Sequence, residues 1–366
     1  MKKNILELCL SPDKGGLELY VQKCAHVLQN SFNVVSVLSK DSQLKTYVKT
    51  LKFYEIKRSI FSAYTLAKIY DREKIDLVHL HWTKDLPVAV LAKLLSKQKP
   101  KLVQTRHMTM TRFKNDFYHK FLYKNLDAIV CVTKAVEAQI VKFIPKSVCP
   151  KVQTIYLGVE AKELLNEKDI YEFKQKLGLK DEFVVTIVGR INEFKGQHLV
   201  VEALKVLQNK GLNVKVYIVG HAMKQEYLQG LRRQVKILGL ENRVVFTGFS
   251  DEATSYMQMS DAVVMASKNE TFGLVSVEAM ACNTAVIASN SGGAVEIIDD
   301  NETGLLFEPQ NVQELSKKIE LLYNNKELKT ALAKNGFEKA DSVFNANKQF
   351  ERLVEFMRYE VLDDKS

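Results

Sequence analysis

The chain has 366 residues, enough for two domains of ~150–200 residues each rather than one small module. With 46% hydrophobic and 26% charged residues, only 6 Pro and 16 Gly, its composition is globular and excludes disordered, collagen-like and low-complexity chains. A formal net charge of +10 leaves an anionic partner open, whether nucleic acid, acidic lipid headgroups or a phosphorylated substrate.

The opening, MKKNILELCLSPDKGG, reads as a strand near Asn4–Leu8 followed by a polar loop. Glu7 interrupts the apolar stretch and no small-residue cleavage site follows, so a signal peptide is not expected and the chain is read as cytoplasmic. The longest apolar runs, such as Val184–Val188 and Ala262–Ala266, are strand-length, far short of the ~20 residues a membrane span needs. After the first strand comes Pro12-Asp13-Lys14-Gly15-Gly16, then a helical pattern with Glu18. A Gly-Gly pair at a strand-to-helix turn lets a ligand approach the backbone, or is simply a tight turn. Neither G-x-G-x-x-G nor G-x-x-x-x-G-K-[ST] occurs, which excludes a dinucleotide fingerprint and a P-loop.

Strands near Val34–Leu38 and Leu77–Leu80 follow. His79 and His81 flank Leu80 and share one strand face, but the sequence nearby offers no third ligand, so no metal site is expected. Leu102–Thr105 runs into Arg106-His107-Met108, which puts His107 at a strand's C-terminal end, where a lone histidine is more often packed than functional. Ala128–Val132 closes the series.

The charge is unevenly placed. Residues 1–155 hold 27 Lys+Arg and 12 Asp+Glu, a balance of +15, whereas residues 156–366 hold 26 and 31, a balance of −5. From Lys93 to Lys124 nine basic residues face the single acid Asp116. Within that stretch Phe113, Phe117 and Phe121 recur at i, i+4, i+8 beside Tyr118, Leu122 and Tyr123. The spacing predicts a helix with one apolar and one basic face, which either packs on a core or lies on an anionic membrane.

Pro145, Pro150 and Gly158 interrupt the periodicity, and the charge balance changes sign around Lys146–Val159, so the seam is placed there. Beyond it strands are expected near Val184–Val188, Lys215–Val219, Val244–Thr247, Ala262–Met265 and Ala285–Ala288. Strands alternating with helices in both halves argue for two doubly wound parallel sheets, with ligands at strand C-termini and in the cleft between them. The five cysteines are odd in number and widely spaced with no C-x-x-C pair, which argues against a disulfide scaffold or a zinc site.

Three segments at strand ends carry chemistry. Gly189-Arg190-Ile191-Asn192-Glu193-Phe194-Lys195-Gly196 follows one strand, and its Arg190 fork and Lys195 point charge suit a diphosphate. In Glu270-Thr271-Phe272-Gly273-Leu274-Val275-Ser276-Val277-Glu278 the two acids bracket a helix N-terminus, where exposed amides favour phosphate. Carboxylates accept from vicinal hydroxyls, so Glu278 suits a ribose and Glu270 a sugar. Ser289-Asn290-Ser291-Gly292-Gly293 forms a third turn open to close approach. No D-x-D is present to hold a divalent ion, so protein cations would neutralise a leaving diphosphate.

Taken in order, these motifs resemble the retaining GT-B glycosyltransferases of family 4, from about Met1 to Tyr359. The resemblance implies two Rossmann-like doubly wound α/β domains facing across a cleft. Residues 1–155 would bind the acceptor, residues 156–345 the nucleotide sugar, and residues 346–366 would form a helix crossing back onto the first domain. It implies that Arg190 and Lys195 hold the donor diphosphate, Glu278 the ribose and Glu270 the transferred sugar. The amides of Phe272, Gly273 and Leu274 would add contacts, Gly16 would approach the diphosphate, and His107 would touch the sugar near the reacting carbon. Glu270 and His107 are thus the catalytic candidates. The family's small G-x-P turn reads Cys282-Asn283-Thr284-Ala285 here, a departure in turn geometry.

The expected activity is transfer of a hexose or N-acetylhexosamine from a nucleoside diphosphate sugar, UDP-sugar before GDP-sugar, with no cofactor required. The expected acceptor is a glycan or lipid-linked saccharide in lipopolysaccharide, O-antigen or other cell-surface polysaccharide synthesis. An anionic membrane at the inner face of the cytoplasmic membrane is the further partner the basic half suits. A nucleotide-sugar epimerase or a sugar phosphorylase would share the fold, though a phosphorylase needs a lysine-bound pyridoxal phosphate and a longer chain. A basic nucleic-acid-binding protein is the rival from another class, but the acidic second half would repel a polyanion and no recognised motif is present. A catalytically dead sensor is disfavoured because every charged position of the pattern is filled.

Overall fold

The structure, a computed structural model, describes residues 2–13, 15–46 and 52–363, so Lys14 of the Gly-Gly turn and residues 364–366 lie outside it. The chain divides into two units, Met1–Tyr156 with Asn347–Ser366, and Leu157–Ala346.

The first unit is built on a seven-stranded sheet. Its strands are β1 (Asn4–Cys9), β2 (Asn33–Ser39), β3 (Phe53–Ile56), β4 (Leu77–Leu80), β5 (Lys101–Arg106), β6 (Ala128–Cys131) and β7 (Lys151–Thr154). All are parallel, in the order β3-β2-β1-β4-β5-β6-β7. The central strands are buried without alternation, as expected of a parallel sheet covered on both faces. In register, Glu7 of β1 sits opposite His79 of β4.

The second unit repeats the scheme with β8 (Phe183–Val188), β9 (Val214–Val219), β10 (Val244–Gly248), β11 (Ala262–Met265), β12 (Val286–Ser289) and β13 (Leu305–Phe307). Their order is β10-β9-β8-β11-β12-β13. Strand order reverses beside β1 in one sheet and beside β8 in the other, and at such a switch point the loops after the strands diverge and leave room for a ligand. Three strands are additional to those expected from sequence: β3, β7 and β13. All three lie at sheet edges and are only three or four residues long; β3 and β7 also carry polar residues, Glu55 in one and Lys151, Gln153 and Thr154 in the other, that break an apolar run.

The last helix, Ala346–Glu355, continues into a π-helical turn, Phe356–Leu362. This segment packs within the first unit. Phe350 stacks on Tyr20 at 5.8 Å, Arg358 donates to the Ser31 carbonyl at 3.3 Å, and Lys151 pairs with Glu360 at 2.9 Å. No helix among the described residues is long and apolar enough to cross a membrane.

The aromatic stretch differs from its expected helix. The helix runs only from Phe117 to Lys124, because the Asp116 carboxylate caps the His119 amide and starts it there. Phe113 therefore falls outside it. Leu122 and Tyr123 form the buried side, while Phe113 and Phe117 are 64% and 87% exposed, so the phenylalanine stripe is a surface and not a core face.

Candidate active site

In the second unit, three loops leave the C-terminal ends of β8, β11 and β12 and are tied together by their backbones. After β8, the Asn192 side chain accepts from the Lys195 amide and starts a short 3-10 turn, Glu193–Lys195. Gly196 ends that turn at φ +71°, and a Cβ there would overlap the Ala266 carbonyl oxygen. The Lys268 amide donates to the Phe194 carbonyl at 2.9 Å. After β12, the Gly293 amide donates to the Glu270 carbonyl at 2.8 Å and Ser291 Oγ to the Lys268 carbonyl at 3.1 Å. Gly292 adopts φ +59° against that same Glu270 carbonyl. The two glycine motifs thus exist, in part, to let three backbones meet.

This stapling brings Lys195 and Glu270 together although 75 residues separate them. Lys195 Nζ bonds Glu270 Oε1, and Ser267 Oγ donates to the same oxygen at 2.8 Å. Both partners are about a quarter exposed, so water screens the pair and an incoming anion can reach it. Arg190, from the same loop as Lys195, is exposed and makes no ion pair among the described residues. Gly273 at φ +97° turns the chain into the helix Leu274–Ala281, whose first amides have no intrahelical acceptor. Phe272 is buried with its ring edge-on to Phe344 at 5.9 Å, which anchors the turn. Glu278 lies half-buried about one turn into the helix. The departure at the helix's far end is resolved locally: Asn283 takes φ +54°, the left-handed conformation, and Thr284 Oγ1 donates to the Met257 carbonyl at 2.9 Å.

In the first unit, Gly16 is the exposed first residue of the helix Gly16–Val27. The Gly15 amide is already taken by the Glu18 carboxylate at 2.9 Å, whose other oxygen accepts from Ser11 Oγ at 2.5 Å. A Cβ at Gly16 would meet nothing within 4 Å, so the backbone there is open. His107 follows β5, half-buried, with Nε2 turned inward and without a hydrogen-bond partner among the described residues. Burial, with His81, His79 and Arg106 nearby, pushes its pKa well below 6.5, so the imidazole is neutral at pH 7.

Behind His107 lies a buried cluster. Glu7 receives His79 Nδ1 at 3.0 Å and His81 Nε2 at 2.5 Å, and His79 Nε2 meets Thr105 Oγ1 at 2.7 Å. Tyr20 packs edge-on to both His81 and His107, at 5.8 and 5.2 Å. The sequence reading found no third ligand near the two histidines; β1 and the first helix supply Glu7 and Cys24, and the four donor atoms lie within 4.8 Å of one another. In this structure both Glu7 oxygens are occupied by imidazoles, so the cluster works as a hydrogen-bond network. Burial alone would raise the Glu7 carboxyl, but the two histidines beside it outweigh that and hold it well below the carboxylate range. Burial and His79 likewise keep His81 neutral.

Comparison with known proteins fixes the family. A family model for glycosyl transferases group 1 matches residues 169–339, and one for glycosyl transferase 4-like proteins matches residues 7–133. The chain is 30% identical over 368 residues to an uncharacterized glycosyltransferase of Methanocaldococcus jannaschii, covering 96% of each chain. It belongs to the group 1 glycosyltransferases. It is 25% identical to the capsular polysaccharide biosynthesis glycosyltransferase CapM of Staphylococcus aureus, over 96% of this chain and 89% of that one. The Anabaena protein HepE, solved with UDP and glucose, superposes with a TM-score of 0.84 at 25% identity, covering 98% of this chain and 100% of HepE. The architecture is accordingly that of GT-B glycosyltransferases, and the protein is a glycosyltransferase enzyme.

Within this group 1 glycosyltransferase, the expected residues of the second unit, Arg190, Lys195, Glu270, Phe272, Gly273, Leu274 and Glu278, all lie on the loops after β8 and β11 or the helix that follows. Gly16 and His107 lie at the C-terminal ends of β1 and β5 in the first unit. Sequence reasoning missed Asn192, Ser267 and Glu7. Asn192 is legible in retrospect as an N-cap before a turn, and Ser267 by its position three residues before Glu270. Glu7 looked like a flaw in an apolar strand, and only the β1–β4 register shows its purpose.

Proposed function

We propose that this glycosyltransferase retains configuration at the sugar carbon and uses a nucleoside diphosphate sugar, UDP-sugar before GDP-sugar, without a metal or other cofactor. The transferred group is a hexose or N-acetylhexosamine. The acceptor is a glycan or lipid-linked saccharide of lipopolysaccharide, O-antigen or another cell-surface polysaccharide, and the enzyme works in the cytoplasm at the inner face of the membrane. The HepE complex with UDP and glucose and the capsular role in the CapM name support the donor and pathway classes. The observation that carries the reading is the Lys195–Glu270 pair before a helix N-terminus, with the exposed Arg190 on the same loop as Lys195.

In the reaction the bond from the sugar carbon to the diphosphate oxygen breaks and a bond to the acceptor oxygen forms on the same face. The acceptor's proton passes to the departing diphosphate. Negative charge grows on that diphosphate, and Arg190, Lys195 and the amides of Phe272, Gly273 and Leu274 stabilise it more in the transition state than before it. A donor phosphate would draw Lys195 from Glu270 and free that carboxylate for the sugar hydroxyls, while Glu278 takes the ribose. From the first unit, Gly16 is assigned to the diphosphate. His107, neutral, is assigned to a sugar hydroxyl. Thermal-shift measurements with UDP, GDP, ADP and CMP, with and without magnesium, test this. Ligand at 100 times its Kd adds about 2.7 kcal/mol, several degrees of Tm. One nucleoside diphosphate should raise Tm regardless of magnesium; no rise with any of them would overturn the proposal.

A further inference from the structure

The first unit carries two pockets that share a wall. One, of about 480 Å³, is lined mainly by apolar groups, among them Leu10, Ile60, Val88, Leu91 and Phe121, with Arg58 and Lys84 alongside. The other, of about 360 Å³, is of mixed lining, with Thr83, Arg106, Lys114 and His119 among its polar groups. Lys84, Pro87, Tyr118 and Leu122 belong to both. A hydrocarbon-lined chamber and a cationic one thus adjoin along these four residues as two parts of one surface groove.

Arg106 shows what the cationic chamber lacks. It is only 7% exposed, yet its guanidinium bonds only neutral acceptors: Thr83 Oγ1 at 2.8 Å, the Met108 carbonyl at 2.8 Å and the Thr109 carbonyl at 3.1 Å. No carboxylate lies within 4.0 Å of it among the described residues. A buried charge without a counter-charge is costly, and five N–H donors leave two to spare. Among the described residues the Lys114 ammonium has only the His119 ring as a hydrogen-bond partner, at 3.3 Å, and the nearby acid Asp116 is engaged by the other nitrogen of that ring. Asp85, the acid lining the apolar chamber, is buried and accepts from the Leu10 amide at 2.9 Å. Every other charge facing the groove is positive.

Exposed aromatic residues neighbour the lining of the apolar chamber. Phe61, next to Ile60, is 90% exposed, and Phe117, next to Tyr118, is 87% exposed. Exposed phenylalanines beside lysine and arginine suit the boundary of an anionic bilayer.

We propose that this groove binds a long-chain lipid phosphate, its phosphate held by Lys84, Arg106 and Lys114 and its chain by the Ile60–Val88–Leu91–Phe121 chamber. As the site of a lipid-linked acceptor the groove rests on the transferase reading; as a lipid-phosphate site it stands by itself. Trp82, the only tryptophan, lies 5.0 Å from Lys84 Nζ and 5.9 Å from the Arg58 guanidinium, and its emission reports on the groove. The full chain is titrated with farnesyl phosphate, farnesol and inorganic phosphate, and separately with phosphatidylglycerol vesicles. Farnesyl phosphate should bind at least about tenfold more tightly than farnesol or phosphate, and Lys114→Ala should weaken it about tenfold, one charged contact's worth. The UDP-induced Tm rise of Lys114→Ala should equal that of the wild type. Equal affinity for farnesol or for phosphate, or an unchanged Lys114→Ala, would overturn the proposal. So would a response to vesicles with none to farnesyl phosphate, which would mark a bilayer-binding surface instead. Lipid-phosphate binding without any nucleotide response would leave the groove standing and remove the transferase mechanism.

Discussion

Replacing Glu7 tests the buried network directly. The carboxylate accepts from both His79 and His81 with no solvent in reach, and its pKa is lowered from 4.5 to about 2. A shift of this size corresponds to about 3 kcal/mol of stability from the ionised form, at ~1.4 kcal/mol per unit. The sign follows from the direction. A depressed carboxyl stabilises above its unfolded pKa of 4.5 and loses that contribution as pH falls toward about 2. Glu7→Gln keeps the shape but offers one acceptor and one donor, so one imidazole must change tautomer. His79 can do so, since its Nε2 faces Thr105 Oγ1, whereas His81 Nδ1 has no partner among the described residues. Glu7→Gln should therefore cost about 3 kcal/mol at pH 7, or roughly 6–12 °C in the unfolding of the first unit. Glu7→Ala should cost more, about 3–5 kcal/mol, because both imidazole donors lose their acceptor. Urea unfolding followed by circular dichroism from pH 7 downward measures both. The gap between wild type and Glu7→Gln should narrow between pH 4.5 and 2. A Glu7→Gln protein as stable as wild type at pH 7, or a gap that does not narrow in acid, would refute the charged network.

Other outcomes follow from single groups. Glu270→Ala should abolish transfer with a Tm close to wild type, since a quarter-exposed ion pair adds only about 0–1 kcal/mol; Lys195→Ala should weaken nucleoside diphosphate binding and lower kcat/KM about 10²-fold, read by steady-state kinetics. Gly292→Ala should lower Tm by several degrees, because φ +59° costs a side chain about 1–2 kcal/mol and the new Cβ overlaps the Glu270 carbonyl. Gly16→Ala should leave Tm unchanged or slightly raised, since its methyl would meet nothing within 4 Å, while lowering kcat/KM at least about tenfold if the proposed diphosphate contact is made there. Asp85, raised by burial to about 7, destabilises as pH rises from 3.8 through 7, so Asp85→Asn, which still accepts from the Leu10 amide, should gain stability over wild type at pH 8.

The central strands were legible because a parallel strand buried on both faces is a plain apolar run, as in Val184–Val188. The edge strand Phe53–Ile56 was not, since Ile56 alone of its four residues is buried and Glu55 breaks the apolar run. The positions of the second unit's candidate residues were legible for a related reason: Arg190, Lys195 and Glu270 stand on loops just after such strands, so placing the strand places the residue. What could not be read was pairing across distant segments. Glu7 with His79 and His81 depends on β1 lying beside β4, and periodicity within one segment carries no information on strand order. The phenylalanines at 113, 117 and 121 failed differently. Their i, i+4 spacing is helical whether the stripe is buried or exposed, and the Asp116 cap cuts the pattern before its first member joins the helix.

The glycines sharpen this point, because the motif that suggests ligand binding also satisfies a packing need. Gly196, Gly292 and Gly293 each stand where a Cβ would overlap a carbonyl of a neighbouring loop. Their presence is fully explained by the three backbones that meet there, whatever the site binds. Gly16 has no such reason: its φ is ordinary, its surroundings are open and it begins a helix, where alanine is the better residue. At a glycine that packing does not require and helix propensity disfavours, an added methyl disturbs only what approaches from outside the fold. Of the glycines in the family pattern, Gly16 is therefore the one whose replacement separates ligand contact from packing, whereas Gly196, Gly292 and Gly293 belong to the scaffold on which Lys195 and Glu270 are brought together.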